Sequence, residues 1–463
     1  MSALAIPNPL QSFAIARPAH PALILGDRLV TALELKELAA RRAASLQRAL
    51  GLAPGSAVGL LGAPSVEWVA DFFALGWLGW TAALLPAAAP ELGALAEALA
   101  PDAFLLHPGS ELPRTERPVL DALALTLSSE PAPERFWPLD EPRLLLTTSG
   151  TTGAPCPVRL TTAQLVFSAL GSAIRLGHAL DDRWLSCLPL HRVGGISVLL
   201  RGAILGITVV LQPRFDAARV ATSLDSGEAS VVSLVPAMLE RVLEARPARP
   251  FPKSLRAILL GGDAASSALL ERCRAIGAPV ALTWGMTETA SQAATRLPGD
   301  LQALGAPPLT FARVFEEDGA LCVTGPLAPD GLLRTRDRGF IDGRGEVRVL
   351  GRADEVLISG GEKIAPEEIE AALGAHPGVK EALVAGVADA RWGRRPVALV
   401  VPREPAAPPP AEELEAWCRA RLSAWKAPIL FTFVSTLPRN EGGKLARREA
   451  ERIAQQACSR STP

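Results

Sequence analysis

Tyrosine is absent from this 463-residue chain, and lysine is scarce, standing only at positions 36, 253, 363, 380, 426 and 444. Because lysine and arginine together number 47, arginine carries nearly all of the positive charge, and each lysine is an exception to the composition of the chain. An excess of one charge is also missing, since the formal net charge is −1. Such a chain lacks the basic surface of a protein that binds nucleic acid or an anionic membrane.

Paired cysteine motifs and long apolar runs are missing as well. The six cysteines are scattered, with no CxxC pair and no histidine at metal-ligand spacing, which argues against a disulfide framework or a zinc site. The N-terminal segment MSALAIPNPLQSF lacks a basic region and a sustained apolar core, so we expect no signal peptide. The apolar run 72–89 is interrupted by glycine, threonine and proline, and it predicts a buried helix and strand, with no membrane span. We expect a cytoplasmic protein, and the sequence is compatible with a homo-oligomer.

Short apolar strands alternate with helical stretches through the first 300 or so residues, as in AVGLLG, TVVLQ and AILLGG. This alternation predicts an α/β architecture with buried, largely parallel sheets. From about residue 312, hairpins that turn on Asp-Gly and Gly-Arg-Gly predict a β-rich part. A small α+β domain is expected beyond residue 355, with helices at 366–373, 411–424 and 445–457 and strands at 379–387, 397–402 and 430–434.

The stretch RLLLTTSGTTGAP, residues 143–155, passes from an apolar strand into hydroxyls and glycines. Backbone amides and small hydroxyl side chains in such a loop suit a bound phosphate; a polar surface turn is the alternative. The loop is not a Walker motif, because no lysine follows a second glycine at the required spacing. A GxGxxG fingerprint after a strand is also missing.

Four further stretches carry candidate site residues. In TWGMTETASQ (283–292), Glu288 stands among hydroxyls and suits either Mg²⁺ or a helix cap. In LLRTRDRGFID, Asp337 could accept from a ribose diol or pair with a neighbouring arginine. GRADEVLISGGEKIAPEEIE joins Arg352 and Asp354 to a Gly-Gly turn, and LPRNEGGKLARRE presents Lys444 behind two glycines. An ordinary strand connection and a surface lysine are the plain alternatives for the last two.

In this order and at these spacings, the five motifs resemble the adenylate-forming superfamily of acyl- and aryl-CoA synthetases, luciferases and peptide-synthetase adenylation domains. The resemblance covers roughly residues 10–455. It implies a large N-terminal domain of two α/β sheets plus a β-rich subdomain, with a small mobile α+β C-terminal lid domain. We place the N-terminal domain at 1–351 and the lid at 352–463, with a hinge near Asp354.

The resemblance also implies roles for individual residues and a need for ATP, Mg²⁺ and CoA. The resemblance implies that the phosphates of ATP are bound by the loop residues Thr148, Ser149, Gly150, Thr151 and Thr152. Trp284, where the family usually has tyrosine, and Gly262 border the adenine, and Asp337 and Arg352 bind the ribose. Thr287 and Glu288 contact the α-phosphate and Mg²⁺, and Lys444 is the catalytic lysine. The Gly360–Gly361 turn is expected to border the pantetheine arm of CoA.

Within the superfamily, PLHRVGGISVLLRGAILG (189–206) and TWGMTETASQAAT look most like the 2-succinylbenzoate–CoA ligases of menaquinone synthesis. The implied reaction converts 2-succinylbenzoate, ATP and CoA into 2-succinylbenzoyl-CoA, AMP and diphosphate. The implied acyl-pocket residues are His191, Arg192, Ser197 and Arg201. Arg201 is the only charge in the apolar run 193–211, and with Ser197 it would recognise the carboxylate that is not activated. A surface position on a helix is the alternative for Arg201.

Three departures from the family pattern stand out. Cys156 and Pro157 replace the lysine and glycine that usually follow the phosphate loop, so one cation near the β- and γ-phosphates is lost. Arg192 occupies the usual histidine position, with His191 one residue earlier, and Asp263 stands where a small residue is common. A ligase for another aryl or medium-chain carboxylic acid, a carrier-protein adenylation module and a nucleotide-binding homologue with impaired catalysis are the competing interpretations.

Overall fold

The computed structural model describes residues 4–149, 155–301, 305–389, 391–439 and 443–461. Its helices are α1 (Pro9–Ala16), α2 (Ala32–Leu50), α3 (Val66–Trp77), α4 (Leu92–Leu99), α5 (Thr162–Leu176), α6 (Val193–Leu205), α7 (Ala217–Asp225), α8 (Pro236–Glu244), α9 (Ser267–Ala275), α10 (Pro366–Gly374), α11 (Ala411–Arg419) and α12 (Arg447–Ser461). Its strands are β1 (Ala5–Ile6), β2 (Pro21–Leu25), β3 (Arg28–Thr31), β4 (Ala57–Leu61), β5 (Thr81–Leu84), β6 (Ala103–Leu106), β7 (Val119–Asp121), β8 (Trp137–Pro138), β9 (Pro142–Ser149), β10 (Pro155–Thr161), β11 (Arg183–Ser186), β12 (Thr208–Leu211), β13 (Val231–Leu234), β14 (Ala257–Leu260), β15 (Val280–Trp284), β16 (Ala294–Thr295), β17 (Arg313–Glu317), β18 (Ala320–Thr324), β19 (Leu332–Ile341), β20 (Val347–Arg352), β21 (Leu357–Ser359), β22 (Glu362–Ile364), β23 (Val379–Asp389), β24 (Gly393–Pro402) and β25 (Phe431–Phe433).

Two mixed, largely parallel sheets form the larger part of the fold. One has the strand order β10-β9-β5-β4-β6-β7 and the other β16-β15-β14-β13-β11-β12-β2-β3. Within them only the pairs β10–β9, β16–β15 and β2–β3, all at sheet edges, are antiparallel. Central strands such as β4 and β14 are apolar on both faces because helices cover both sides.

The last two sheets confirm the predicted change from α/β structure to a β-rich part and then an α+β domain. An antiparallel sheet of order β17-β18-β19-β20 forms the β-rich subdomain. A C-terminal sheet follows, in which β22-β21-β24-β23 are joined by β25 on the edge of β24. Helices α10 and α12 pack against β23, so the tail is an α+β unit with apolar clusters of its own. The expected fold class is therefore confirmed.

One strand was not predicted, and one helix prediction needs correction. The segment 155–161 forms β10 on the edge of the first sheet, where the missing N–H groups of Pro155 and Pro157 need not disrupt a central ladder. The helix predicted over 411–424 ends at Arg419, and a separate 3₁₀ turn covers Ala424–Lys426.

The apolar run 72–89 forms the end of α3 followed by β5, as predicted. Asp71 at its edge is fully buried, and its carboxylate forms an ion pair with Arg42 and lies 2.9 Å from His107 Nε2. The charge is tolerated there because it is paired. Among the described residues, no helix has the length and apolarity that a membrane crossing requires.

Candidate active site

The candidate site lies at the carboxyl edge of the larger sheet. Strands β13, β14 and β15 are parallel neighbours, so their ends and the loops that follow meet at one edge. Gly262 follows β14 and Trp284 ends β15. In open α/β sheets this edge is where ligands bind.

Lys444 reaches this edge from the C-terminal unit. A Cβ atom at Gly262 would lie 3.2 Å from Lys444 Cε and 3.4 Å from Val235 Cγ1. Gly262 also has a φ of 84°, a left-handed conformation that disfavours any side chain. Glycine at this position thus leaves room for the lysine stem.

Lys444 is embedded among charges of both signs. Burial lowers the pKa of Lys444; Asp263 opposes this shift, Arg192 and Arg352 reinforce it, and Asp337 opposes it more weakly. The net pKa is below the ordinary value. Residues from four separate segments thus act on one ammonium group, which is the arrangement expected where negative reactants must meet.

Trp284 and Asp337 are directly joined. The indole Nε1 of Trp284 donates a hydrogen bond of 2.7 Å to Asp337 Oδ2, and Arg352 Nη1 lies 3.5 Å from Asp337 Oδ1. Asp337 and Arg352 are partners in the register of β19 and β20, which fixes their spacing. The carboxylate proposed for the ribose is therefore oriented by an indole and a guanidinium.

Arg352 is also tied to the position proposed as the hinge. Its Nε and Nη2 atoms each donate a 2.9 Å hydrogen bond to Asp354. These bonds raise the pKa of Arg352. Burial would raise the pKa of Asp354, but the hydrogen bond and charge of Arg352 lower it. Both groups are therefore held in their charged forms, as in other two-pronged ion pairs.

Thr287 and Glu288 lie in a short 3₁₀ turn, Thr287–Thr289, after β15. The loop closes tightly: Ala290 and Ser291 have φ values of 52° and 104°. Positive φ at residues other than glycine is a strained conformation that surrounding contacts must maintain. This turn therefore depends on contacts from neighbouring elements.

Helix α5 provides those contacts. Gln164 Nε2 donates to the carbonyl oxygens of Glu288 at 2.9 Å and Leu327 at 3.1 Å, and Ser168 Oγ donates to Ala290 O at 2.7 Å. The oxygen of the same Gln164 side chain accepts from the N–H of Thr161, which completes a capping box at the start of α5. One helix thus connects the end of β10 with the Glu288 loop.

The donor set suits Mg²⁺ better than a metal bound by protein alone. Among the residues that the structure describes, no group of three or more His, Cys, Asp or Glu side chains could hold a metal ion. Glu288 is half-buried and offers a single carboxylate. Mg²⁺ commonly takes one or two carboxylates and completes its shell with water and substrate phosphates, so Glu288 fits that role.

The segment predicted to bind phosphate lies between β9 and β10, which pair as an antiparallel hairpin. Thr148 is paired in register with Cys156, and its hydroxyl lies 3.5 Å from Cys156 O. Cys156 is exposed. Gly150, Thr151 and Thr152 lie outside the described residues, and of Ser149 only the backbone, at the end of β9, is described.

His191 and Arg192 precede α6, and the structure distinguishes their environments. Burial, and then the charge of Arg192, lowers the pKa of His191 to about 4, so its imidazole is neutral at pH 7. Arg192 is exposed and lies close enough to Lys444 to lower its pKa. Arg192 therefore faces the lysine site, while His191 contributes a neutral ring.

Arg201 is buried in α6, so the alternative of a surface position is wrong. Its side chain is 1% exposed, its Cζ lies 5.1 Å from the centre of the Trp184 ring, and none of its three guanidinium nitrogens has a hydrogen-bond partner among the described residues. Burial lowers the pKa of Arg201 to about 10. Ser197 is buried one turn nearer the start of α6, about 6 Å along the axis.

Gly360 and Gly361 form the two-residue turn between β21 and β22. Both have positive φ, 59° and 87°, and a Cβ at Gly360 would lie 2.5 Å from the Trp392 ring. The contacts described for this turn are with Trp392 and Gly393 of the same unit. The structure therefore does not bring this turn to Lys444.

Sequence reasoning missed three residues that shape the site: Gln164, Ser168 and the role of Asp263. The pattern Thr161-x-x-Gln164 before an apolar helix is a capping-box signal, but it gives no hint that the amide also reaches Glu288. Asp263 was noted only as an unusual residue. Its carboxylate Oδ2 accepts from the N–H of Leu445 at 3.3 Å.

Comparison with known families covers most of the chain. Residues 10–333 match the AMP-binding enzyme family, and residues 368–444 match the AMP-binding enzyme C-terminal domain. The first match includes β9, Trp284 and the strands β17 and β18 of the β-rich subdomain, and the second ends at Lys444. The two matched regions thus correspond to the two parts of the chain that meet at the site.

Individual relatives extend over almost the full length. A 2-succinylbenzoate–CoA ligase of Bacillus licheniformis is 36% identical over 95% of this chain and 98% of the relative. The enzyme of the same name from Bacillus subtilis is also 36% identical, over 96% of this chain and 97% of the relative.

Solved structures give the same result. The o-succinylbenzoate CoA synthetase of Bacillus subtilis in complex with its acyl-adenylate intermediate superposes with a TM-score of 0.87 at 34% identity, covering 97% of this chain and 98% of that one. The same enzyme in complex with ATP and magnesium ion gives a TM-score of 0.85, also at 34% identity, covering 96% of this chain and 99% of that one.

Proposed function

Because the chain belongs to the AMP-binding enzyme family, we propose that it is an ATP-dependent acid–CoA ligase whose acid is 2-succinylbenzoate. The observation that carries the proposal is Lys444 of the C-terminal unit seated over Gly262, beside the linked pair Trp284 and Asp337. A lysine delivered to this edge by a separate unit has a clear use in adenylate formation. A place in menaquinone biosynthesis and a cytoplasmic location complete the proposal.

The first step forms an acyl-adenylate. A carboxylate oxygen of the acid attacks the α-phosphorus of ATP, the bond to the bridging oxygen breaks, and diphosphate leaves. Two negative groups must approach each other, so positive charge at the point of attack lowers the barrier. Lys444 supplies this charge between the carboxylate and the α-phosphate, and Arg192 adds a second cation nearby.

Other residues of the chain orient the nucleotide. Asp337, held by Trp284 and Arg352, accepts from the ribose hydroxyls, and the face of Trp284 lies against the adenine. Thr287 bonds the α-phosphate, and the hydroxyls and amides of residues 148–152 hold the β- and γ-phosphates. Glu288 would hold Mg²⁺, which would supply positive charge against the departing diphosphate.

The second step transfers the acyl group to CoA. The thiol of CoA attacks the adenylate carbonyl, AMP leaves, and the thiol proton is released to solvent. Lys444 fills the site in the present arrangement, whereas the contacts of the Gly360–Gly361 turn with other described residues lie within its own unit. We therefore propose that residues 352–463 rotate as a lid about Asp354, which withdraws Lys444 and brings the turn to the pantetheine arm.

Arg201 selects which acid the enzyme binds. Its guanidinium is buried without a hydrogen-bond partner in the described part of the chain, and such a group favours an anion that can pair with it. 2-Succinylbenzoate has two carboxylates, so the aliphatic one can be activated while the aromatic one pairs with Arg201. Ser197 lies one turn away on the same helix and can help directly or through a water molecule.

The reaction is tested by measuring AMP release with 2-succinylbenzoate, benzoate and hexanoate in parallel, each with and without CoA. We expect CoA-dependent AMP release to be fastest with 2-succinylbenzoate. A faster rate with benzoate or hexanoate would replace the proposed acid by another aryl or medium-chain one. Binding of ATP without AMP release for any acid would favour a catalytically impaired homologue, an outcome to which Cys156 in place of the loop lysine would contribute.

A further inference from the structure

The segment that carries Lys444 is held from both sides of the domain boundary. From the N-terminal part, Asp263 Oδ2 accepts from the N–H of Leu445 at 3.3 Å. From its own unit, Arg439 Nη1 donates to Gly443 O at 3.1 Å. The backbone on both sides of Lys444 is therefore anchored.

The side chain of Asp263 is well placed for this contact. Its other oxygen, Oδ1, accepts from the N–H of Ala264 at 2.9 Å, which fixes the carboxylate at the end of the Gly261–Gly262 turn. The bond to Leu445 uses a backbone N–H, so it consumes none of the ammonium protons of Lys444. Asp263 can hold the segment while Lys444 contacts the reactants.

Asp263 also acts on the charge of Lys444. The charged groups that face the ammonium are Asp263, Arg192, Arg352 and Asp337, and among them Asp263 has the largest effect. Arg192 and Arg352 favour loss of the proton, and Asp263 and Asp337 favour its retention. A protonated Lys444 is needed in the adenylation step because the neutral amine would carry no charge to the α-phosphate.

We propose that Asp263 is a positioning residue for the adenylation step, which docks the Lys444 segment and offsets the positive charge that Arg192 brings to the site. This inference rests on the proposed function. It joins two departures from the superfamily pattern: an arginine at the usual histidine position adds a permanent cation, and an aspartate in place of a small residue balances it. The charge balance accounts for Arg192 and Asp263 together, whereas neither departure has as good an explanation by itself.

The variants are Asp263→Asn, Arg192→His and the combination of both, with Asp27→Asn in an exposed turn as the matched control. Asp263→Asn keeps an acceptor for the backbone but removes the charge, and Asp263→Gly removes both. Adenylation is measured by acid-dependent ATP–diphosphate exchange between pH 6 and 10. Thioester formation is measured with supplied acyl-adenylate.

We expect Asp263→Asn to lower kcat/KM for adenylation at pH 8 at least about tenfold and to move the alkaline limb of the pH profile to lower pH. Arg192→His in the same chain should recover a large part of the loss, and Asp263→Gly should be at least as impaired as Asp263→Asn. The thioester step should change less than about twofold. Equal loss in both steps, or an unmoved alkaline limb, would overturn the inference.

A second measurement needs no substrate and so separates this inference from the proposed function. Acetic anhydride labelling as a function of pH, followed by mass spectrometry, reports the apparent pKa of each lysine, and the five other lysines serve as internal controls. We expect the apparent pKa of Lys444 alone to fall in Asp263→Asn and to rise in Arg192→His. An unchanged Lys444 titration would refute the charge-balancing role, whereas a wild-type protein that exchanges no diphosphate with any acid would refute the ligase reaction.

Discussion

Replacing Arg201 by methionine removes a buried charge but keeps much of the side-chain volume. Burial lowers the pKa of Arg201 from its ordinary value to about 10, which corresponds to ~3 kcal/mol of unfavourable charge burial in the ligand-free protein. A bound carboxylate would recover that energy by pairing. We therefore expect Arg201→Met to raise KM for 2-succinylbenzoate about 100-fold, with KM for ATP changed less than about twofold.

The same reasoning predicts an opposite effect on stability. Without ligand, Arg201→Met should raise the free energy of unfolding by ~1–3 kcal/mol, because it removes a buried charge that has no hydrogen-bond partner among the described residues. Arg246 offers a matched control: it is also buried, but its Nη2 lies 2.6 Å from Asp225 Oδ1, so Arg246→Met should destabilise the fold by ~3–5 kcal/mol.

Urea unfolding without ligand and AMP release at varied acid and ATP concentrations measure the two effects. Benzoate, which has no second carboxylate, should be used equally well or better by the variant. If Arg201→Met is less stable than the wild type and raises KM for acid and ATP alike, the guanidinium has a structural role and the reasoning fails.

Four further predictions concern other parts of the site. Lys444→Ala should slow adenylation by orders of magnitude while supplied acyl-adenylate is still converted to thioester, and equal loss of both steps would contradict the rotating lid. Trp284→Phe removes the 2.7 Å hydrogen bond to Asp337, so KM for ATP should rise about 5- to 10-fold with KM for the acid unchanged; a shift in both would point to general damage. Cys156→Lys restores a cation at an exposed position and should speed adenylation by at least about threefold, because one added charge that solvent partly screens has an effect of this size. The neutral control Cys156→Ser should leave the rate of adenylation unchanged. Burial raises the pKa of Glu355 to about 7, with Glu367 adding to the shift and Arg447 opposing it, so this carboxyl stabilises the fold below pH 4.5 and loses that contribution as pH rises through 7. The free energy of unfolding of Glu355→Gln, measured in urea, should therefore equal that of the wild type at pH 4.5 and exceed it by ~1–3 kcal/mol at pH 8. A difference that stays constant with pH would contradict the pKa shift.

Local sequence signals predicted most of the framework. Strands such as β4 and β14 are short, wholly apolar and followed by glycine, so their positions follow from pattern alone. The hairpin turns at Asp318-Gly319 and around Gly345 were also predicted from their glycines, and both glycines have positive φ in the structure. The edge strand β10 was missed because its two prolines argue against a central strand but not against an edge one.

Contacts between distant segments could not be predicted in this way. Helix α6 is apolar nearly all round, so its pattern does not say whether Arg201 faces solvent or the interior. Asp263 and Leu445 are separated by 182 positions and lie in different parts of the fold, and no local pattern links them. Trp284 was assigned to the adenine by resemblance, but its bond to Asp337 needed the packing of β15 against the β-rich subdomain.

The hydrogen bonds of the Gln164 side chain limit which parts of this protein can move. Both of its polar atoms are engaged, the oxygen with Thr161 and the nitrogen with Glu288 and Leu327. These bonds join the start of helix α5 to the turn that carries Glu288 and to the segment of Leu327. We therefore expect these three segments to keep their mutual arrangement, so that the movement proposed for the reaction is confined to the unit that carries Lys444.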